Sequence, residues 1–337
     1  MAWASQDPRG EAPLLAVMLD QSNSARMRHM KILCFPSLGR LLPVAVVLFW
    51  QGVADAAAPY DLPEIKAANV LRHSGILYAN FVTSSNGGFD VEIVQRFAKH
   101  LGVNYQFQKT EWTNFVEQLT GKRYEYDTND TPKQIGETAI CADIAASGIT
   151  ILPKRQKVVA FSNRVFPTQV LLVTGMDSLL EQPPLGSLED RIARTRSLMS
   201  NQLVLCKKDT CLDPKGLRLK EAGAIYRCFE GPLNALADAM LGHLPEVGGA
   251  NMTVLDVPDV MVSMNSLNGA IKIVGPVNDR QYMAAAFRPD CPKLREAYNE
   301  FLHHIQTNGE YEAILTKHYP GANTYFADFF KEPKGAK

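Results

Sequence analysis

The order strand, helix, strand within residues 71–108 constrains this chain most. Leu71–Phe81 is predicted as a strand, with Gly87 and Gly88 as the turn after it. In the next segment, FDVEIVQRFAKHL, residues Val91, Val94, Phe97, Ala98 and Leu101 recur at helical spacing on one face. Gly102 follows, in the place a helix C-terminus favours for glycine. Val103–Gln108 alternates and reads as a second strand. Two strands joined through a helix run parallel, so the chain is α/β.

The rest of the chain continues that theme. Trp112–Leu119 is predicted as a short helix and Gly121–Glu137 as a polar surface insertion. Ala142–Ile151 reads as a buried strand with its exit loop, and Val170–Thr174 as another strand. EQPPLGS, Glu181–Ser187, breaks the pattern, and a second βα series begins. It comprises a strand at Leu203–Cys206, a helix start at Asp213–Pro214, a strand at Ala224–Phe229, a helix at Pro232–Leu244 and a strand, MTVLD, ending at Asp256. Ile271–Val274 and Gln281–Phe287 run back, followed by helices at Lys293–Thr307 and Tyr311–Tyr319. Ligands in such sheets bind outside the carboxyl ends of the strands, and clefts between domains are favoured places.

With 337 residues, the chain has room for about two domains of ordinary size. Its 35 basic residues balance 35 acidic ones, so no charge excess draws it to nucleic acid or an anionic membrane. The N-terminal region carries Arg28, Lys31 and Arg40, then the apolar run LLPVAVVLFW (Leu41–Trp50), then Ala54, Asp55, Ala56, Ala57 and Ala58. Basic, apolar and small residues in that order predict a secretory signal peptide, cleaved after Ala56 or Ala58. A membrane anchor needs about 20 apolar residues, and this run is shorter and contains Pro43. Residues 1–26 are polar, and Met27 or Met30 is the more ordinary start; a precursor beginning at Met1 would refute that.

Of six cysteines, Cys34 leaves with the signal, and Cys141, Cys206, Cys211, Cys228 and Cys291 remain. Export to an oxidising compartment favours pairing, but an odd count leaves at least one thiol free or paired between chains. The pairing is open at this level. The C-x4-C spacing of Cys206 and Cys211 is not a zinc signature, and His303 and His304 are adjacent and so diverge on a helix. No metal and no cofactor is expected.

Three motifs then point to a family. GFDVEIVQRFAKHLGV (Gly88–Val103), DIAASGITILPKRQKVVAFSN (Asp143–Asn163) and NGEYEAILTKHY (Asn308–Tyr319) resemble, in order and spacing, those of the family 3 periplasmic solute-binding proteins, the polar amino acid receptors of ABC importers. The C-terminal half is also similar to the binding domain of membrane-bound lytic transglycosylases, without the catalytic domain that follows there. The resemblance implies a two-lobed periplasmic-binding-protein fold of type II, each lobe a mixed sheet flanked by helices, with two hinge crossings. Residues 1–56 would be extension and signal peptide, 60–173 plus 277–337 lobe one, and 174–276 lobe two. It implies a periplasmic, monomeric protein that takes a small carboxylate, foremost an amino acid, in the interlobe cleft and delivers it to an ABC permease complex.

The same resemblance nominates site residues. Arg155 would hold the ligand carboxylate, since a guanidinium forms two parallel bonds to that group. Gly148 would let the ligand approach the backbone, Thr150 would supply a hydroxyl, and Ser147 would assist. Phe81 would pack on the ligand side chain or belong to the core, and Trp112 is a similar aromatic candidate. In lobe two Thr210 precedes an expected helix start, a position suited to anions, although Asp209 stands beside it where the family has a small residue. Asp256 would pair with a ligand ammonium; the approach to it, GHLPEVGGAN (Gly242–Asn251), is longer than the family pattern, and Asp259 is a rival.

Two other function classes compete. One is a small-molecule lyase on the same fold, with Glu111 or Glu230 as a cleft acid. No Ser-His-Asp or Cys-His order, no phosphate loop and no GxGxxG supports an enzyme. The other is a sensor that binds a partner through the Gly121–Glu137 insertion.

Overall fold

The computed structural model describes residues 60–244 and 249–330. The expected signal segment, with Cys34, lies outside the described residues, and so do residues 245–248 of the stretch before Asp256. No described helix is long and apolar enough to cross a membrane.

Asp61 and Glu64 form a capping box at the start of helix α1 (Leu62–Ala68). The Asp61 carboxylate also accepts the Lys293 and Leu294 N–H groups, tying this end of the chain to a late helix. Strand β1 (Val70–Ile76), helix α2 (Phe89–Leu101) and strand β2 (Asn104–Thr110) form the expected βαβ unit, paired in parallel from Val70–Asn104 to Ile76–Thr110. Helix α2 buries Val91, Ile93, Val94, Phe97 and Ala98, and Gly102 ends it at φ 74°. Helix α3 (Phe115–Thr120) and a hairpin of β3 (Lys122–Tyr126) and β4 (Pro132–Glu137) follow. Then come β5 (Ile144–Ala145), α4 (Pro153–Gln156), β6 (Ala160–Phe161) and β7 (Phe166–Thr168).

The chain enters a second sheet at β8 (Val170–Gly175). It continues through α5 (Leu188–Ser197), β9 (Leu203–Cys206), β10 (Ile225–Cys228), α6 (Leu236–Met240), β11 (Met252–Asp256), α7 (Val257–Ser266) and β12 (Ile271–Pro276). It returns through β13 (Gln281–Met283) and β14 (Ala286–Phe287) to α8 (Pro292–Thr307) and α9 (Glu310–His318). The first sheet has the order β2-β1-β5-β14-β6 and the second β10-β9-β11-β8-β12. In each, a parallel run meets an antiparallel strand: β14 against β5, and β8 against β11. The two crossings lie side by side. β7 pairs with β13, and Asn278 accepts from the Gln169 side chain and the Val170 N–H.

Four sequence expectations need correction. The first strand ends at Ile76, because Tyr78 and Val82 bridge across a tight turn with Ala79 at φ 42°. The Gly121–Glu137 insertion is a hairpin, closed by the Asp127 carboxylate accepting from Asn129 and Thr131 N–H. No helix follows Asp213–Pro214; the Asp213 carboxylate accepts from Lys215 and Gly216 N–H and holds the chain in turns. The Pro232–Leu244 helix is a 3-10 turn at Leu233–Ala235 plus the short α6, stopped before Gly242 at φ 79°.

Candidate functional site

The carboxyl ends of β1, β5, β9 and β11 face one another across the gap between the sheets, and polar groups collect there. Tyr78 sits in the turn beyond β1 and stacks on Phe81 at 5.7 Å between ring centres. Phe81 is itself fully buried, edge-on to Phe89 and Phe166 and tilted against Tyr319. It is packed in the core and carries Tyr78. Trp112 meets Tyr78 edge-on at 5.5 Å.

Arg155 lies on α4, which Pro153 starts after the extended Leu152. The side chain is 4% exposed, with its guanidinium over the rings of Trp112 at 5.3 Å and Phe115 at 5.6 Å. It donates to the Thr150 carbonyl at 3.1 Å and to the Asp209 carbonyl at 3.4 Å. Among the described residues it has no carboxylate partner. Burial lowers its pKa, which marks the guanidinium as a charge held away from water.

Opposite stands an acid pair. Asp256 ends β11 and caps α7, accepting the Asp259 N–H at 3.3 Å. Its Oδ1 also accepts the Tyr78 O–H at 2.5 Å, and the Cys211 thiol donates to Oδ2 at 3.3 Å. Asp259 is buried, and its Oδ2 has no hydrogen-bond partner. Burial raises both carboxyls above their ordinary range, for Asp259 with the neighbouring Asp256 adding to it. Burial likewise raises the Tyr78 hydroxyl and the Cys211 thiol. A buried cation without an anion thus faces buried acids without a cation.

The remaining nominated residues divide. Thr150 lies where Arg155 takes its carbonyl and bridges to Met283. Ser147 is fully engaged inside, accepting from Ile76 N–H at 2.7 Å and donating to the Ala146 carbonyl at 2.6 Å. Gly148 has φ 61°, and a Cβ there would lie 2.4 Å from the Phe81 ring; its N–H donates to Asp90 at 2.6 Å. The packing of Phe81 therefore requires this glycine. Thr210 donates to the Lys207 carbonyl and accepts from Leu212 N–H, and with no helix after it the expected anion site is absent among the described residues. Asp209 meets Arg155 through its carbonyl while its side chain is exposed. Glu111 and Glu230 are exposed.

Tyr78 and Cys211 escaped sequence inspection. Tyr78 was hidden by reading the strand through to Phe81. Cys211 looked like a disulfide or core residue, and only the fold brings it to Asp256, 45 positions away.

The chain is similar to proteins of known role. L-cystine-binding protein TcyJ of Escherichia coli (strain K12) is 22% identical over 230 residues, covering 68% of this chain and 73% of that protein. The arginine-binding extracellular protein ArtP of Bacillus subtilis (strain 168) is 23% identical over 239 residues, covering 69% and 78%. A crystal structure of a mutant of ArgBP from T. maritima superposes with a TM-score of 0.56 at 22% identity, covering 77% of this chain and 99% of that one. That likeness shows a shared two-lobed fold of the type II periplasmic binding proteins. The model of the bacterial extracellular solute-binding proteins, family 3, matches residues 139–321, which take in Arg155, Cys211, Asp256 and Asp259 and span more than half of the sequence, and to that family the chain belongs.

Proposed function

We propose that this chain captures a small zwitterionic amino acid between lobe one (residues 60–173 plus 277–337) and lobe two (174–276) and delivers it to an ABC permease. It acts as a receptor and leaves its ligand unchanged. It reaches the periplasm through the cleavable N-terminal signal and works as a monomer. The observation that carries this proposal is the buried Arg155 guanidinium, paired only with carbonyls, opposite the buried acids Asp256 and Asp259, which have no cation between them and of which Asp259 leaves Oδ2 without a hydrogen-bond partner. A ligand carboxylate would complete the guanidinium in two parallel bonds. A ligand ammonium would complete the acid pair, and Tyr78 and Trp112 would flank the carbon chain. Cystine and arginine, named for TcyJ and ArtP, are the first ligands to try.

A thermal-shift screen of amino acids tests it. A ligand at one hundred times its Kd adds about 2.7 kcal/mol of stability. Arg155→Ala should remove that gain, and an unchanged gain would sink the carboxylate clamp. Affinity should fall on acidification: the acids' pKa values are raised, so below them a bound ammonium must displace a proton. A screen in which titrated amino acids come back chemically altered would speak instead for an enzyme.

A further inference from the structure

Strands β9 and β10 run parallel at the edge of the second sheet, and their register places Cys206 directly beside Cys228. The two sulfurs are 3.4 Å apart. Directly opposed residues on neighbouring strands lie within the Cα separation a disulfide spans, about 4.4–6.8 Å. We propose that Cys206 and Cys228 form a disulfide in the oxidised protein, and that Cys211, despite its closer spacing in the sequence, stays a thiol.

Position argues for a structural purpose. Both cysteines are the last residues of their strands, so the bond would sit at the base of the two turns that follow. The turn after Cys206 carries Asp209, whose carbonyl meets Arg155, and Cys211, whose thiol meets Asp256. The turn after Cys228 offers the Phe229, Glu230 and Gly231 carbonyls, all of which accept from the Lys207 ammonium. Among the described residues β10 pairs with β9 alone, and it exposes Ile225 and Tyr226. A covalent link between the strand ends would fix this edge strand and, with it, the cleft-facing turn.

Chemistry favours this pair over the alternative. Cys228 is partly exposed and open to attack, while Cys206 is buried behind it. The exposed thiolate attacks a small or protein disulfide, displacing one thiol and forming a mixed disulfide. Cys206 then gives its proton to water and attacks the Cys228 sulfur, releasing the second thiol. Two protein thiols are oxidised and one external disulfide is reduced to two thiols. Cys211 lies on the far side of its turn against Asp256, and pairing it with Cys206 would break that contact.

The full chain incubated with glutathione disulfide and digested with trypsin without reduction decides the matter. Cleavage after Lys207, Lys208, Lys215 and Arg227 leaves Cys206, Cys211 and Cys228 on separate peptides. The expected product links Ser197–Lys207 to the peptide beginning at Cys228. Thiol titration in denaturant should then count two fewer than the six cysteines of the sequence. Dithiothreitol should lower the thermal midpoint of the oxidised protein by several degrees. Cys206→Ser and Cys228→Ser should each abolish that shift, and Cys211→Ser should leave it. A Cys206–Cys211 linkage, or full alkylation of Cys206 and Cys228 in unfolded oxidised wild type, would overturn the proposal; since these are wild-type readouts, a variant that fails to fold does not obscure them.

Discussion

Two buried ionisable side chains, His73 on β1 and Asp90 on α2, pull stability in opposite directions. Asp90 is pushed up to about 7 by burial, against the Gly148 N–H that favours its charge. His73 is pushed down to about 4 by burial, with its ring between the Tyr105 hydroxyl and the Ala146 carbonyl. For Asp90 the folded state holds the proton between about pH 4 and 7 while the unfolded chain has lost it, so stability falls as pH rises through that window. For His73 the unfolded chain holds the proton between about pH 4 and 6.5 and the folded one does not, so stability rises there. Each amounts to about 3–4 kcal/mol, at 1.36 kcal/mol per pKa unit, and they nearly offset. Asp90→Asn should expose the rising limb and His73→Gln the falling one, read as urea midpoints from pH 4 to 8. Two flat profiles would show that neither group is buried as described. Gly148→Ala should cost roughly 2–4 kcal/mol, because it combines a left-handed backbone with a clash against Phe81. At this scale the place of Arg155 after a strand end was legible from its motif, and Asp256 only as the last residue of the strand MTVLD, since the approach to it is longer than the family pattern. Tyr78 and Cys211 were not, because a residue's role in a turn depends on which side of the chain the core lies.

Among the elements, those with a strong period were the ones the sequence disclosed. Helix α2 shows five apolar positions on one face and a glycine stop, and α8 and α9 likewise match expectation to within a residue or two. The β3–β4 hairpin was missed because KRYEY and PKQIGE are polar on both faces, so no core-facing alternation marks them as strands. Yet the hairpin reaches the cleft. The carboxylate of Asp130 at its tip takes Lys215 at 2.9 Å from the far side, and its carbonyl takes Lys157 at 2.9 Å from the near side. It also roofs a cavity of about 280 Å³ lined by Trp112, Tyr126 and Arg155. Both members of the Asp130–Lys215 pair are well exposed, so the pair is worth at most about 1 kcal/mol, and less in salt. Lys215→Ala should therefore speed ligand release no more than about five-fold at low salt, with the difference vanishing near 1 M salt, measured by stopped-flow fluorescence of Trp112. A larger, salt-independent effect would mean the hairpin holds the cleft by packing rather than charge.

For the molecule as a whole, two βα series and a return to the first were legible, because each series repeats the same alternation of apolar strand and amphipathic helix. How the two sheets meet was not, since the decisive contact joins Tyr78 to Asp256 across 178 positions and involves no apolar pattern. Polar links span the cleft, among them Tyr78 to Asp256, Arg155 to the Asp209 carbonyl, and Lys215 to Asp130. Of these, only the first is fully buried, and only it places a hydroxyl on a carboxylate, a bond worth about 1.5–3 kcal/mol. Beside the two crossings β7 and β13 pair in a short ladder, and hinge closure turns on a few such residues at element ends. Tyr78→Phe keeps the ring against Phe81 and Trp112 but deprives Asp256 of the donor that reaches it from the other lobe. It should shift the population toward the open form by roughly 10- to 150-fold, since each 1.4 kcal/mol is a factor of ten. Small-angle scattering of the purified variant without added amino acid should then give a larger radius of gyration than wild type, and saturating ligand should bring the two together as its own contacts span the cleft. Equal radii before ligand, with equal thermal midpoints, would show that the Tyr78–Asp256 bond does not hold the lobes.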